Sequence, residues 1–292
     1  MTRLFNRAIP LTFVLIWSTG WIVARYAADF GDPLTFLLLR YVFAGTALLA
    51  LAIIGRAAWP KNPSAYGHAM LSGVMLHALY LGGVWWAIRH GVPASVSALI
   101  AAVQPILTTV LAPLVLGETI TARRWLGVAI GVAGLLLVLL PGLAQVDAAA
   151  LSQQLTEIGI NVGAMVAVTC GSFYQKKFVA TGDLRTTTIL QYTGAALVTL
   201  PVAFLLEPMH ITWNLTMVLT MAWSVLALSL GAISLYLILI RRGEVSQAAQ
   251  LIFLVPPTAS VQAWLLFGEK LSAPQLLGMA LTALGVALAS RT

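Results

Sequence analysis

Apolar residues along this chain gather in long runs, and polar residues are confined to the short stretches between them. A helix needs about 20 consecutive apolar residues to cross the hydrocarbon of a bilayer. Runs of that length fall at about 8–27, 33–54, 67–88, 94–116, 122–140, 157–178, 187–206, 217–239, 246–267 and 272–290. The pattern predicts an all-α membrane protein with ten transmembrane helices. Turn-forming residues separate the runs: Gly31-Asp32-Pro33, Lys61-Asn62-Pro63, Gly91-Val92-Pro93, Pro141-Gly142 and Glu207-Pro208. The longest gap, Pro141 to Thr156, divides the chain near its middle, so 1–145 and 146–292 are read as two five-helix units. Arg3 and Arg7 before the first run imitate a signal peptide, but the run is long enough to span and others follow it.

The basic residues give the topology. With the N-terminus in the cytoplasm, that side receives Arg3, Arg7, Arg56, Lys61, Arg123, Arg124, Lys176, Lys177, Arg185, Arg241, Arg242 and Arg291, against only Arg25, Arg89 and Lys270 on the other side. So uneven a split follows the positive-inside rule and predicts an even number of spans with both termini cytoplasmic.

The chain repeats itself at an offset of 151 residues: Gly117-Glu118 matches Gly268-Glu269, Pro105 matches Pro256, Ser95 matches Ser246, Gly20 matches Gly171, and Tyr41 matches Tyr192. Five spans per half is an odd number, so the second half enters the membrane from the opposite face. Inverted repeats of this kind build secondary transporters, whose sites lie near the midplane between the halves.

Composition agrees. Some 60% of residues are hydrophobic and 9% charged, against about 25% charged in a soluble domain. The net charge of +7 resides in loops and calls for no nucleic-acid partner; the partners expected are lipid and a small-molecule substrate. Cys170 is the sole cysteine, read here as a small buried hydrophobe. An internal disulfide or Cys-based metal site is excluded, histidines at metal spacing are absent, and no cofactor is expected. All nine acids lie near span ends or in loops. That pattern argues against a proton/cationic-drug antiporter, which needs a carboxylate at depth.

Polar and aromatic groups at bilayer depth are the candidate site, because each is costly there without a role. Arg40, about two turns into the second span, either snorkels or binds a carboxylate; its counterpart Gln191 is uncharged. His77 at the middle of the third span either packs or touches substrate, with Tyr80 and Trp85 near one helical face. Trp17 and Trp21 stand one turn apart in the first span, beside Ser18 and Thr19. Tyr174 adds further aromatic surface, and aromatic walls suit a flat ring. Gln104 and Gln250 offer amides for either end of a zwitterion; interhelical bonding is the alternative use. Pro105, Pro256 and Pro257 near the midpoints of the fourth and ninth spans are read as gating bends. Glu118 and Glu269 are helix-end residues or gate contacts on opposite sides. Gly127 and Gly131 form a close-packing motif, intramolecular or dimeric, leaving a monomer or a weak homodimer.

The paired five-helix repeats, the stretch from Pro105 to Gly117-Glu118, its echo from Pro256 to Gly268-Glu269, the Trp17-Ser18-Thr19-Gly20 opening and Arg40 together resemble the EamA branch of the drug/metabolite transporter superfamily. Within it, the chain is most similar to bacterial exporters of aromatic amino acids. The resemblance implies a basket of ten helices around a central cavity, with spans one to four and six to nine lining it and spans five and ten outside. It also implies export of amino acids and other metabolites across the bacterial inner membrane. Purines, sugars or amphipathic drugs are alternative cargo. A membrane-embedded enzyme is the remote alternative, since no convergent acid, base, nucleophile or metal set is visible.

Overall fold

A computed structural model describes residues 2–242, 245–268 and 271–289. Its helices are α1 Thr2–Ala28, α2 Pro33–Ile54, α3 Pro63–Arg89, α4 Ala94–Leu116, α5 Ala122–Leu143, α6 Leu155–Phe178, α7 Leu184–Leu206, α8 Leu215–Arg242, α9 at 245–267 and α10 Ala273–Ala289. A short helical turn, Ala148–Ser152, lies in the linker between α5 and α6. Among the described residues nine helices are long and apolar enough to span, and α10 is a shorter apolar helix. Ten helices in two sets of five is the architecture the hydrophobic pattern predicts.

Helix starts follow from capping chemistry. Asp32 and Asn62 precede prolines at the first helical position of α2 and α3. Thr121, Asp183 and Asn214 each accept a backbone N–H from the first turn of the helix they precede. Gly117 and Gly268, a repeat apart, end α4 and α9 with φ near +68°, which a glycine adopts without steric cost. Pro141 and Gly142, expected to form a turn, stand inside the last turn of α5; the proline costs the one bond to the Leu137 carbonyl, close to where the helix ends. Cys170, expected to be buried, is exposed on the flank of α6. In a bilayer that flank meets lipid, which suits a small apolar thiol as well as a core does.

The repeat extends to backbone irregularities. α3 opens into a π-helical turn at Val74–Leu79 and α8 does so at Ser224–Ala232, equivalent positions at the offset of 151. α4 breaks at Ala102, and α9 tightens to a 3-10 turn at Leu251–Leu254. Pro105 and Pro256 explain the second pair. A proline has no N–H to donate and its ring clashes with the carbonyl four residues earlier, so each helix yields one turn before it.

Two helix pairs form the frame. α5 and α10 meet on glycines: a Cβ added at Gly134 would lie 2.5 Å from the Thr282 amide nitrogen, and one at Gly285 would lie 2.5 Å from the Gly131 amide nitrogen. The Gly127-to-Gly131 motif is therefore used inside the molecule, where close backbone approach maximises dispersion contact in lipid. α2 and α7 are tied at both ends. Glu207 accepts the Leu34 and Thr35 amides at 2.8 Å each. At the other face Thr186 donates to the Ala58 carbonyl at 3.0 Å. The remaining helices, α1, α3, α4, α6, α8 and α9, surround the midplane.

Candidate transport site

Trp17, Trp21, Tyr80, Val84 and Trp85 from α1 and α3 form a chamber with Arg40 of α2 and Leu228 of α8, with a cavity volume of about 70 Å³. That chamber opens past Ala24, Trp85 and Ile88 into a vestibule of about 190 Å³, rimmed by Ala28, Gly31 and Arg89 on the face opposite the N-terminus. Behind Trp17 and Tyr80 lies a tighter recess lined by His77, Gln104 and Tyr236. A side recess adds Ala98, Ala102, Phe253 and Pro256. These neighbouring voids, which share lining residues, thus follow one another from one face to mid-depth, walled by helices from both halves.

The void ends on a plug. Trp17 packs on Phe13 at 5.2 Å and on Tyr236 at 5.7 Å between ring centroids. The Tyr236 hydroxyl shares a hydrogen bond with Ser172 at 2.8 Å. Below the plug, Ala112, Ile240, Val245 and Ala248 form one buried apolar cluster. Glu118, held just past the Gly117 helix end, bridges α4 to the start of α9: its carboxylate accepts the Val245 amide at 2.8 Å and the Ser246 hydroxyl at 2.6 Å. An anion at a helix N-terminus is favoured by the unpaired amides and the helix dipole. Lys176 of α6 donates to the Ile240 and Arg241 carbonyls that end α8, at 2.8 and 3.1 Å. The N-terminal face is closed by these contacts.

Arg40 does not reach a surface. It is 4% exposed, and its Nε donates to Ser229 Oγ at 2.6 Å. Its counterpart Gln191 is absorbed elsewhere, donating to Gln175 Oε1 and Ser72 Oγ at 2.8 and 3.2 Å. His77 sits in the π-helical turn at 1% exposure, beside the rings of Tyr41 and Tyr192 at 6.0 and 5.0 Å, with both ring nitrogens free of protein partners.

Of the residues singled out from the sequence, Trp17, Trp21, Arg40, His77, Tyr80, Trp85, Gln104 and Pro256 line these adjoining voids. Ser18 lies on another side of α1, donating to the Leu15 carbonyl and to Gln262. Tyr174 stands near the N-terminal face, hydrogen-bonded to His68 at 2.6 Å. Gln250 is buried with neither side-chain polar atom partnered. Pro105 and Pro257 are buried in their helices. Glu269 lies outside the described residues. Sequence reasoning did not pick out Ser229 and Tyr236, because a lone serine or tyrosine in a 28-residue apolar helix has no signature; Ala24, Ile88 and Arg89 entered only through the vestibule they shape.

A helical membrane protein of two inverted halves, with a cavity between them open to one face and sealed at the other, has the build of a membrane transporter. The chain belongs to the EamA-like transporter family, whose sequence profile matches residues 8–140 and again 156–291. It is similar to a protein of Salmonella typhimurium named "Probable amino-acid metabolite efflux pump", 24% identical over 291 residues that cover 95% of this chain and 92% of the relative. A 139-residue stretch, 46% of this chain and 44% of the relative, is 30% identical to the "Uncharacterized inner membrane transporter YedA" of Escherichia coli K12. A solved crystal structure superposes with a TM-score of 0.77 over 97% of this chain and 96% of the other, at 18% identity, and shows the shared fold. The protein is a multi-pass transporter of the bacterial inner membrane.

Proposed function

We propose that this transporter exports, or lets pass along their gradient, small metabolites with a flat ring and a carboxylate, aromatic amino acids foremost. The observation that carries this reading is the chamber itself: indole and phenol walls from Trp17, Trp21, Tyr80 and Trp85 around one buried guanidinium, Arg40. Aromatic walls hold a ring by offset or edge-to-face contact, worth about 0.5–1.5 kcal/mol per pair. A guanidinium holds a carboxylate through two parallel hydrogen bonds. Gln104 and His77 supply neutral polar contacts in the recess behind.

Alternating access follows from the inverted repeat. Loosening the Glu118 bridge and the Lys176 contacts would open the N-terminal face, while α1 and α3 close the vestibule. The turns before Pro105 and Pro256 are the bends that let α4 and α9 move. With the positive-rich face taken as cytoplasmic, this reading makes the open vestibule the outward-facing one. The relative named as an amino-acid metabolite efflux pump supports the cargo class.

Counterflow in proteoliposomes tests this. Vesicles preloaded with tryptophan or phenylalanine should accumulate labelled substrate transiently, and Trp17→Ala or Arg40→Gln should slow it at least tenfold. Absence of counterflow with every aromatic amino acid tried would refute the cargo assignment.

A further inference from the structure

We infer that the cavity selects monoanions, binding an aromatic carboxylate that lacks a free ammonium group more tightly than the matching zwitterionic amino acid. This inference rests on the cargo reading above and narrows it. Its ground is the charge balance of the void.

Arg40 is the fixed charge at mid-depth. Its Nε is held by the neutral Ser229 hydroxyl, and the titratable groups that act on it are Tyr41, Tyr192 and His77, with no carboxylate among them. Among the described residues, no acidic side chain lines the chamber, the deep recess, the side recess or the vestibule. At the mouth of the vestibule Arg89 is exposed, with Asp29 and Asp32 adjoining the lining residues Ala28, Gly31 and Pro33. The positive charge that no acid opposes is therefore the one at the end of the route, Arg40.

A buried cation without a counter-ion is unfavourable, and a ligand carboxylate is the partner that this one lacks. One guanidinium neutralises one negative charge, so a dicarboxylate or a phosphate dianion would bring an unmatched charge of its own. A zwitterion brings the carboxylate but also an ammonium group, which must give up water in a chamber that holds no anion for it. Only ring faces and neutral hydroxyl or amide groups are at hand. Cation–π contact with these faces compensates only in part. Removing the amino group removes that penalty and leaves the ring and carboxylate contacts intact.

Three ligands of common ring and chain length isolate the charge: 3-phenylpropanoate, phenylalanine and phenethylamine. Binding to the purified full-length protein in detergent is read by quenching of tryptophan fluorescence. We expect 3-phenylpropanoate to bind at least tenfold more tightly than phenylalanine, and phenethylamine not to bind. Arg40→Gln should erase the preference and Arg40→Lys should retain part of it, with unfolding temperatures checked to confirm that both variants fold. Equal or tighter binding of phenylalanine would overturn the monoanion inference and leave the cargo reading standing. Binding of none of the three, or of phenethylamine best, would overturn both.

Discussion

Tyr41 and Tyr192, equivalent residues of the two halves 151 positions apart, stack on one another at 5.8 Å between ring centroids with planes 14° apart. Equivalent residues can touch only on the axis that relates the halves, so this contact marks the pseudo-two-fold axis. Each hydroxyl then donates to a carbonyl inside a π-helical turn: Tyr41 to His77 at 3.0 Å and Tyr192 to Ser229 at 2.9 Å. In the membrane interior no water competes for these bonds, so each ties its ring to the turn. Tyr41→Phe and Tyr192→Phe should each cost about 1 kcal/mol, and the double variant should depart from the sum of the two, since the rings are in contact. Unfolding titrations in mixed micelles measure this.

The Glu118 bridge predicts how the N-terminal face opens. Its carboxylate satisfies an amide and a hydroxyl at the start of α9, 127 and 128 residues away in the chain. Glu118→Gln keeps the size and removes the charge that the helix terminus favours; Ser246→Ala removes the short hydroxyl bond. Either should raise the labelling rate of a cysteine placed at the buried Ile240 severalfold, in a Cys170→Ala background. Unchanged labelling would mean that the apolar plug alone seals this face.

Much of this was legible in the sequence, because in lipid a span must be both long and apolar to satisfy its own backbone. Helix number, the mid-chain division and the repeat follow from that constraint. The aromatic and basic members of the site were legible for a related reason: Trp17, Arg40, His77 and Gln104 are expensive at depth and so stand out. What the sequence could not give was azimuth. Ser18 and Trp17 are neighbours, yet one donates to Gln262 of α9 and the other walls the chamber. Tyr174 resembles Tyr80 by composition, yet it serves a rim contact with His68. Which side of a nearly all-apolar helix faces inward depends on packing partners, and the hydrophobic pattern barely varies around such helices.

Glycine substitutions separate framework from surface. A Cβ at Gly278 would meet the Gly134 carbonyl oxygen at 2.5 Å, and one at Gly127 the Gly285 carbonyl oxygen at 2.6 Å. Gly278→Ala and Gly127→Ala should therefore force α5 and α10 apart and cost about 1–3 kcal/mol. Gly163→Ala, with nothing within 4 Å of the new methyl, should be neutral or slightly stabilising through the unfolded chain. Thermal unfolding followed by tryptophan fluorescence distinguishes the two classes.

At the corner joining α6 and α7, Asp183 caps α7 and pairs with Arg185 at 2.7 Å. The side-chain bond from Arg185 holds its carboxyl below the usual carboxylate range. A depressed pKa contributes stability that is fully present above the unfolded value and is lost as pH falls through the folded one. The wild type should thus lose thermal stability on acidification below that range, and Asp183→Asn should lose less over the same interval. Because the pair is partly exposed, the difference should be small and should shrink in high salt.

The central claim is that two inverted halves expose one midplane cavity to alternate faces, and paired distance measurements test it most directly. Spin labels at Ala28 and Arg89 report the vestibule; labels at Lys177 and Arg242 report the opposite face. We expect substrate under turnover to populate a state in which the first distance shortens while the second lengthens. Both distances lengthening together, or neither changing while transport proceeds, would contradict the account.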